Sequence, residues 1–229
     1  MGKISKSNFL RRRQRVNRHV RNATTAAGVL PVATSDTKER VVLLGSSQTY
    51  QGGRFQYFWS DFGGRLDGDE SVKEAALREF HEETAYFFKG AVKSSAELVK
   101  MHSTEKYASY VAEIPYVGID KIKEHAEKVR QTGTMYERNH IEMDDYKWLP
   151  LKELLAPAGE LLLKRIFPPF VDFHLQEKSV QDFLESLMYS RISQIREQLI
   201  ARRQFDSFED DDSIGNRMTD TPSYQNTYW

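Results

Sequence analysis

The stretch from Ser71 to Ala85 most constrains how this chain of 229 residues can fold. Ser71 and Glu74 form the pattern of a capping box, in which each side chain satisfies a free backbone N–H group at the start of a helix. Apolar or small side chains then recur every four residues: Val72, Ala76, Phe80 and Thr84. This spacing predicts an amphipathic helix that buries one stripe against the rest of the protein.

Three glutamates fall on another face of the same predicted helix. Glu79, Glu82 and Glu83 stand at positions i, i+3 and i+4, so they lie within an arc of about 100°. Carboxylates this close raise each other's pKa unless a cation lies among them. Sites made of oxygen ligands suit the hard ions Mg²⁺ and Mn²⁺. On the helix alone, a solvated and purely structural acidic face is the alternative.

The remaining segments mix strands and helices without regular alternation, which predicts an α+β fold. Alternating and aromatic patterns predict strands at Ala27–Val32, Arg40–Gly45, Phe55–Ser60, Glu97–His102, Tyr107–Ile114 and His140–Leu149. Further helices are predicted at Asp120–Gln131, Pro150–Leu155 and residues 176–204. A glycine-rich loop, Asp61–Asp69, leads into the helix at Ser71.

The segment Gly64–Tyr86 resembles the Nudix box, whose pattern is G-x5-E-x7-R-E-U-x-E-E-x-G-U, with U a bulky apolar residue. The bulky positions are filled by Phe80 and Tyr86. Six fixed positions of the pattern are present: Gly64, Glu70, Arg78, Glu79, Glu82 and Glu83. The late glycine is Ala85 here, and if the backbone there needs a positive φ, the helix end is shifted or strained.

The resemblance implies the Nudix fold, an α/β/α sandwich with a mixed β-sheet. It also implies a hydrolase that uses Mg²⁺ or Mn²⁺ to cleave a phosphoanhydride bond. By this resemblance Glu79 and Glu83 ligate the metal, and Glu82 ligates it or holds a metal-bound water. The backbone carbonyl of Gly63 is expected to join them.

The loop before the helix is expected to be held in place by an ion pair between Glu70 and Arg78, by the same resemblance. Arg78 would then orient the ligands rather than bind the metal. Gly63 and Gly64 let the backbone approach a metal or phosphate without obstruction by a side chain.

A general base removes a proton from the attacking water, an effect typically worth about 10²–10⁴-fold in rate. In Nudix enzymes the base is a glutamate of the box, here Glu82 or Glu83, or an acid later in the chain. Glu142 is our candidate for the later acid, because it precedes Trp148 in the expected region. Its rivals are Glu137, Asp144 and Asp145.

Substrate contacts are weakly encoded. Phe62 stands beside the metal loop and is expected to line the site, and Arg54 could pair with phosphate. Most of the aromatic residues between them are expected to be core, although one or more could stack on a base: Phe55, Tyr57, Phe58 and Trp59. Candidate substrates are NDP-sugars, ADP-ribose, dinucleoside polyphosphates, nucleoside triphosphates, inositol pyrophosphates and capped RNA ends.

Charge is distributed unevenly, although the net charge is zero. Residues 1–35 contain eight Lys or Arg and no acid, whereas the last 25 residues contain six acids and one Arg. We therefore predict a basic arm over 1–23, a Nudix domain over 24–175, an amphipathic helix over 176–204 and an acidic, disordered tail over 205–229. The arm could bind RNA or an anionic membrane through phosphate groups, or serve as a nuclear or organellar address. The alternative is a solvated arm with no specific partner.

Composition narrows the class of protein further. The chain contains no cysteine, which excludes disulfides and thiolate metal sites. Its apolar runs are far shorter than the ~20 residues needed to cross a bilayer, and no secretory signal is visible. We expect a cytoplasmic enzyme acting on a nucleotide-type diphosphate. Two alternatives are an RNA 5′-end pyrophosphohydrolase that uses the basic arm and a catalytically silent binding module. The helix at 176–204 packs on the core or forms a homodimer.

Overall fold

A computed structural model of the protein describes residues 24–51, 53–192 and 194–201. Seven strands form one mixed sheet: β1 (Ala26–Thr34), β2 (Arg40–Gln51), β3 (Arg54–Ser60), β4 (Phe62–Arg65), β5 (Val99–Ser103), β6 (Tyr107–Glu113) and β7 (Asp145–Pro150). Its main path runs β3-β2-β1-β6-β5, with β4 paired to β1 and β7 paired to β2. The pair β1–β6 is parallel and the others are antiparallel. The predicted mixed sheet is therefore confirmed.

The sheet splits where β1 and β2 diverge. One edge of β1 pairs first with β4, through Ala26–Val29, and then with β2, through Val32–Thr34. β3 stays with β2, so the chain passes from one partner strand to the other at Asp61. A gap thus opens between β4 and β2, and the helix that follows β4 ends there.

Helix α1 (Val72–Glu83) begins as predicted. Both hydrogen bonds of the capping box are present: the Ser71 side chain accepts from the Glu74 N–H, and the Glu74 carboxylate accepts from the Ser71 N–H. The helix packs on β1, β4 and β6. Phe80 is fully buried, with its ring centroid 5.8 Å from Phe62 and 6.0 Å from Phe88.

The remaining helices are α2 (Ile119–Thr132), α3 (Met135–Asn139), α4 (Ala158–Leu163), α5 (Pro168–Phe170) and α6 (Lys178–Tyr189), with a π-helical turn at Val171–Leu175. Strand alternation sends Ala27 and Val29 toward α1, and Leu30 and Val32 toward the opposite face. Helix α6 lies near β5 and the 3-10 turn Leu151–Leu155. None of the described helices is long and apolar enough to cross a membrane.

Two sequence predictions about these elements were wrong. The glycine-rich loop begins as strand β4, because Gly63 and Gly64 pair with Gly28 and Ala27 of β1. The single helix over 176–204 is interrupted, since α6 ends at Tyr189 and Ser190 is extended, with φ −131° and ψ 150°.

The chain that follows α6 makes a long-range contact with β6. Glu113, held by an ion pair with Arg40 at 2.6 Å, accepts a hydrogen bond from the Ile192 N–H at 3.2 Å. Residues 194–201 are again helical and belong to a second compact unit that begins after Ile192. The predicted arm over 1–23 and tail over 205–229 lie outside the described residues, and the division into these four segments remains a prediction.

The end of α1 contains a left-handed turn. Ala85 has φ +51° and Tyr86 has φ +62°. The Ala85 side chain is fully buried, and its carbonyl oxygen lies 2.9 Å from His125 Nε2. The positive φ is thus required at the position where the Nudix pattern has glycine, and alanine adopts it at a cost of roughly 1–2 kcal/mol.

We predict that Ala85→Gly changes the free energy of unfolding by less than about 1 kcal/mol, because relief of the left-handed strain offsets the lost methyl group and the added backbone entropy. Ala85→Val should lower it by more than about 2 kcal/mol, because a β-branched side chain is both strained and overpacked there. Urea unfolding of the three proteins measures this. Equal stability of the Val and Gly variants would show that the turn is not fixed.

Candidate metal and catalytic site

Arg78 organises the start of the site. Its guanidinium donates to Glu70 through Nε at 3.1 Å and Nη2 at 2.8 Å, so the expected ion pair is present and has two contacts. Nη2 also donates to the Arg65 carbonyl at 2.9 Å. On the helix, Nη1 donates to Glu79 at 2.9 Å and to Glu82 at 3.0 Å. One side chain thus joins the end of β4, the loop and α1.

Glu83 is the helix glutamate whose carboxylate is buried with one oxygen left without a hydrogen-bond partner. Its side chain is buried, and Oε2 has no hydrogen-bond partner. Burial raises its pKa well above the usual range, and the charges of Glu79 and Glu142 raise it further. The backbone of Gly63 hydrogen-bonds to it and partly opposes this rise. The Glu83 carbonyl accepts from the Tyr146 hydroxyl at 2.7 Å, which anchors this end of the helix.

Gly63 presents its backbone to Glu83 because of the strand register. The Leu66 N–H donates to the Thr25 carbonyl oxygen at 3.1 Å, so Thr25 and Leu66 form a hydrogen-bonded pair. Hydrogen-bonded and non-hydrogen-bonded pairs then alternate along the antiparallel ladder of β1 and β4. The pair Gly28–Gly63 is non-bonded, so the N–H and carbonyl of Gly63 point to the edge of β4 away from β1. The Gly63 carbonyl thereby faces the open gap where Glu83 lies.

Glu79 and Glu82 border the same gap. A Cβ atom at Gly64 would collide with the Glu79 carboxylate, so the absence of a side chain there admits this glutamate. Burial raises the pKa of Glu79, and Arg78 opposes the rise. The Glu82 carboxylate is buried and accepts from the hydroxyl of Tyr136, a residue of α3 that the sequence did not single out.

Among the candidate bases, Glu142 is the one whose charge acts on this cluster, since it raises the pKa of both Glu79 and Glu83. Its side chain is exposed to solvent. The rivals are placed differently: Asp145 pairs with Lys123 at 2.6 Å, and Glu137 forms a capping box with Thr134 at the start of α3.

Asp61 and Tyr107 form a second polar pair that sequence reasoning missed. The Tyr107 hydroxyl donates to Asp61 Oδ2 at 3.0 Å, and it lies where Cβ atoms of Gly28 and Gly63 would be. Burial raises the pKa of Asp61 to about 7, although the Tyr107 hydroxyl opposes this. The pair supports the strand segment that carries Gly63.

The two proposed substrate residues are not brought to the site. Phe62 is fully buried between Phe80 and Tyr146, because strand alternation turns Asp61 and Gly63 the other way. Arg54 is exposed at the start of β3, and at 3.3 Å per residue it lies roughly 20 Å along the strand from Ser60.

The expectation that most β3 aromatics are core was also wrong. None of the four aromatic residues of β3 is buried: Phe55, Tyr57, Phe58 and Trp59. Phe55 is 64% exposed and Tyr57 is 48% exposed. The hairpin of β2 and β3 therefore presents aromatic rings to solvent at its far end.

The residues fit a hard divalent cation. The donors are oxygens only, Glu83 Oε2 is buried without a partner, and burial, with a further contribution from like charges, raises the pKa of Glu79 and Glu83. Within the described ranges, no group of three or more His, Asp or Glu side chains already stands in metal-binding geometry. Glu79 and Glu82 are instead paired with Arg78 Nη1, at 2.9 Å and 3.0 Å.

Comparison with known proteins gives one family. A model described as the NUDIX domain matches residues 23–170. No curated protein sequence matched the chain.

Solved structures that resemble this chain have low sequence identity to it. A mutT/nudix family protein from Listeria innocua is 18% identical, with 77% of this chain and 96% of that chain covered and a TM-score of 0.41. The Ap4A hydrolase of C. elegans in a binary complex is 15% identical, with 71% and 96% covered and a TM-score of 0.37. The NUDIX domain of NrtR from Shewanella oneidensis, complexed with ADP ribose, is 14% identical, with 80% and 99% covered and a TM-score of 0.43.

The buried Asp61 predicts a dependence of stability on pH. Its pKa is about 7 in the folded protein and 3.8 when unperturbed, so the folded state binds the proton more tightly. Stability is therefore fully present below pH ~4 and is lost as the pH rises to about 7, by up to roughly 4 kcal/mol.

Urea unfolding at pH 5 and pH 8 with a chelator tests this dependence. The free energy of unfolding of the wild type should fall more over this interval than that of Asp61→Asn, which cannot ionise. Both proteins keep Glu83, so the comparison reports Asp61 together with the part of the Glu83 pKa shift that the Asp61 charge causes. Parallel behaviour of the two proteins would contradict the account of Asp61.

Proposed function

The chain belongs to the NUDIX domain family, and on that premise we propose that it is a divalent-metal-dependent hydrolase acting on a phosphoanhydride bond. The substrate in this proposal is a nucleoside diphosphate linked to another group. The observation that carries the proposal is the buried, unpartnered Oε2 of Glu83, which lies beside Gly63 within a group of like charges. A carboxylate in that position is costly unless a cation neutralises it.

The metal in this proposal is Mg²⁺ or Mn²⁺, held by Glu79, Glu83 and the Gly63 carbonyl, with Glu82 as a fourth ligand or as the acceptor for a bound water. When bound, such an ion supplies neutralisation of the diphosphate and activation of water. Arg78 keeps the loop against α1 through Glu70, which fixes the distance between Gly63 and the helix glutamates. Tyr136 orients Glu82 through its hydroxyl.

Glu142 is the proposed general base. Its exposed carboxylate can reach a water at the cluster, take one proton from it and release that proton to solvent. The oxygen of that water forms the new bond to phosphorus, and the phosphoanhydride oxygen leaves with the other phosphate. The electrostatic effect of Glu142 on Glu79 and Glu83 supports this position.

A capped or phosphorylated RNA 5′ end is a second candidate substrate. It is favoured by the sequence alone, through the eight Lys or Arg among residues 1–35, all of which lie outside the described residues. Cytoplasmic localisation and homodimer formation remain predictions.

The test is a screen for phosphate or nucleotide release over the substrate classes named above, with Mg²⁺, with Mn²⁺ and with chelator. We expect metal-dependent cleavage of at least one class. The double variant Glu82→Gln/Glu83→Gln should lose at least about 10³-fold in kcat, and Glu142→Gln about 10²–10⁴-fold.

The matched control for these variants is Glu124→Gln, an exposed glutamate of α2, which should keep wild-type kcat. No metal-dependent activity on any class would contradict the enzyme proposal. Near wild-type kcat for Glu142→Gln would remove this residue from the role of base, and a loss on Asp144→Asn instead would transfer the role.

A further inference from the structure

The hairpin of β2 and β3 extends beyond the strands that flank it. β7 accompanies β2 as far as Ser46, and on the other side residues 165–167 pair with β3 at Trp59. As far as the structure describes the chain, β2 and β3 pair only with each other beyond these points, over residues 47–51 and 54–58. This part is called the ribbon below. Two-stranded ribbons are marginally stable by themselves, so a further contact is expected to support it.

One face of the ribbon presents aromatic rings to solvent. Cross-strand partners share a face, and alternate residues along a strand lie on opposite faces. Tyr50 opposite Phe55 and Gln48 opposite Tyr57 therefore lie on one face, which continues to Trp59 at its base. Tyr50 and Phe55 are each 64% exposed, and Tyr57 is 48% exposed. The solvent face of an antiparallel sheet is usually polar, so these rings mark a contact surface.

Charge on this aromatic face favours a protein partner. Arg54 is the one charged residue between Ser46 and Ser60, and strand alternation places it on the opposite face of the ribbon. At the base, the Lys147 ammonium lies 4.4 Å from the centroid of the Trp59 ring. Single-stranded nucleic acid is bound by rings together with several cations, which this face lacks. Interface cores between proteins, in contrast, are enriched in aromatic residues and depleted in charge.

The polar groups of the aromatic face are self-complementary. The amide of Gln48 and the hydroxyl groups of Tyr50 and Tyr57 each act as both donor and acceptor. A two-fold axis places a surface against its own copy, so that any charge in the surface meets a like charge, whereas groups of this kind can pair with themselves. A neutral face of this composition therefore fits a second copy of the same chain.

The surface from which the sequence predicted a homodimer is already used within the chain. The apolar residues of α6 that would form a seam between two helices are fully buried: Val180, Leu184 and Leu187. They face the chain's own core, since α6 lies near β5 and the 3-10 turn Leu151–Leu155. A contact between two copies thus requires another surface.

We propose that the chain forms a homodimer through the aromatic faces of its two ribbons, packed on each other about a two-fold axis. A buried aromatic side chain covers about 150–250 Å², so the exposed fractions of Tyr50, Phe55 and Tyr57 provide roughly 350 Å² per copy. A standard stable interface buries about 800 Å² per partner, so this dimer is reversible and depends on protein concentration. The proposal is independent of the proposed hydrolysis.

Sedimentation velocity of the full-length protein tests the proposal over about 1 to 300 µM, a range suited to a small interface. The mass should rise from that of one chain toward that of two. Tyr57→Lys and Tyr57→Glu should each raise the Kd at least about 10-fold, because both copies then carry a like charge into the contact. An equimolar mixture of the two variants should associate more tightly than either alone, since opposite charges meet across the axis.

The matched control is Tyr189→Lys, a comparable change at a ring that is 85% exposed at the end of α6, which should keep the wild-type Kd. Urea unfolding checks that each variant is folded, and Gln48→Lys, at an exposed polar position of the same face, replaces one that is not.

Several results would overturn the proposal. These are a single monomeric species over the whole concentration range, a dimer that Tyr57→Lys leaves unchanged, a dimer that Tyr189→Lys abolishes, and a mixture of the charged variants that associates no better than either alone. Binding of a single-stranded oligonucleotide that Tyr57→Glu abolishes, without self-association of the wild type, would assign the face to nucleic acid instead.

Discussion

The guanidinium of Arg78 is the contact on which the geometry of the site depends. It binds Glu70 in the loop, the Arg65 carbonyl at the end of β4, and Glu79 and Glu82 on α1. A planar group with five donors can satisfy several acceptors at once, which a lysine ammonium could not do in the same directions. The negative charge around it stabilises its protonated form and raises its pKa. This one side chain thus ties the loop and the end of β4 to the helix that carries the glutamates.

Two acids near Arg78 are buried, although carboxylates are usually exposed to solvent. Glu83 and Asp61 are buried, and burial raises the pKa of both. Such placement destabilises the folded protein unless a proton or a cation accompanies the carboxylate. Ionisable groups with strongly shifted pKa values concentrate at functional sites, and here they lie around the one strand whose edge is left open by the divergence of β1 and β2. The fold creates this opening, and the sequence places acids in it.

The parts of the structure that depend on local interactions could be predicted from the sequence. The capping box of Ser71 and Glu74 lies within four residues, so the start of α1 was predictable, and so was the face that carries its glutamates. The pattern also identified Arg78 and Glu70 as a pair. Ala85 stood out as the position where a glycine was expected, and its φ of +51° explains why glycine is usual there.

The parts that depend on contacts between distant residues could not be predicted from the sequence. β4 consists half of glycine, which has little strand preference, and it becomes a strand because β1 pairs with it. The contact between Asp61 and Tyr107 spans 46 positions and follows no local pattern. Phe62 appeared to line the site because it stands next to Gly63, but neighbours in a strand face opposite sides. Phe167 and Phe170 follow α4, a helix that the sequence analysis did not predict.

We propose that the carboxylates beside Gly63 hold a divalent cation. The most direct measurement is an anomalous difference map, recorded at the manganese edge, from crystals of the full chain soaked in Mn²⁺. We predict a peak bounded by the carboxylates of Glu79 and Glu83 and the carbonyl of Gly63, and its loss in Glu83→Gln. A map with no peak at this position, or with the same peak in Glu83→Gln, would contradict the claim.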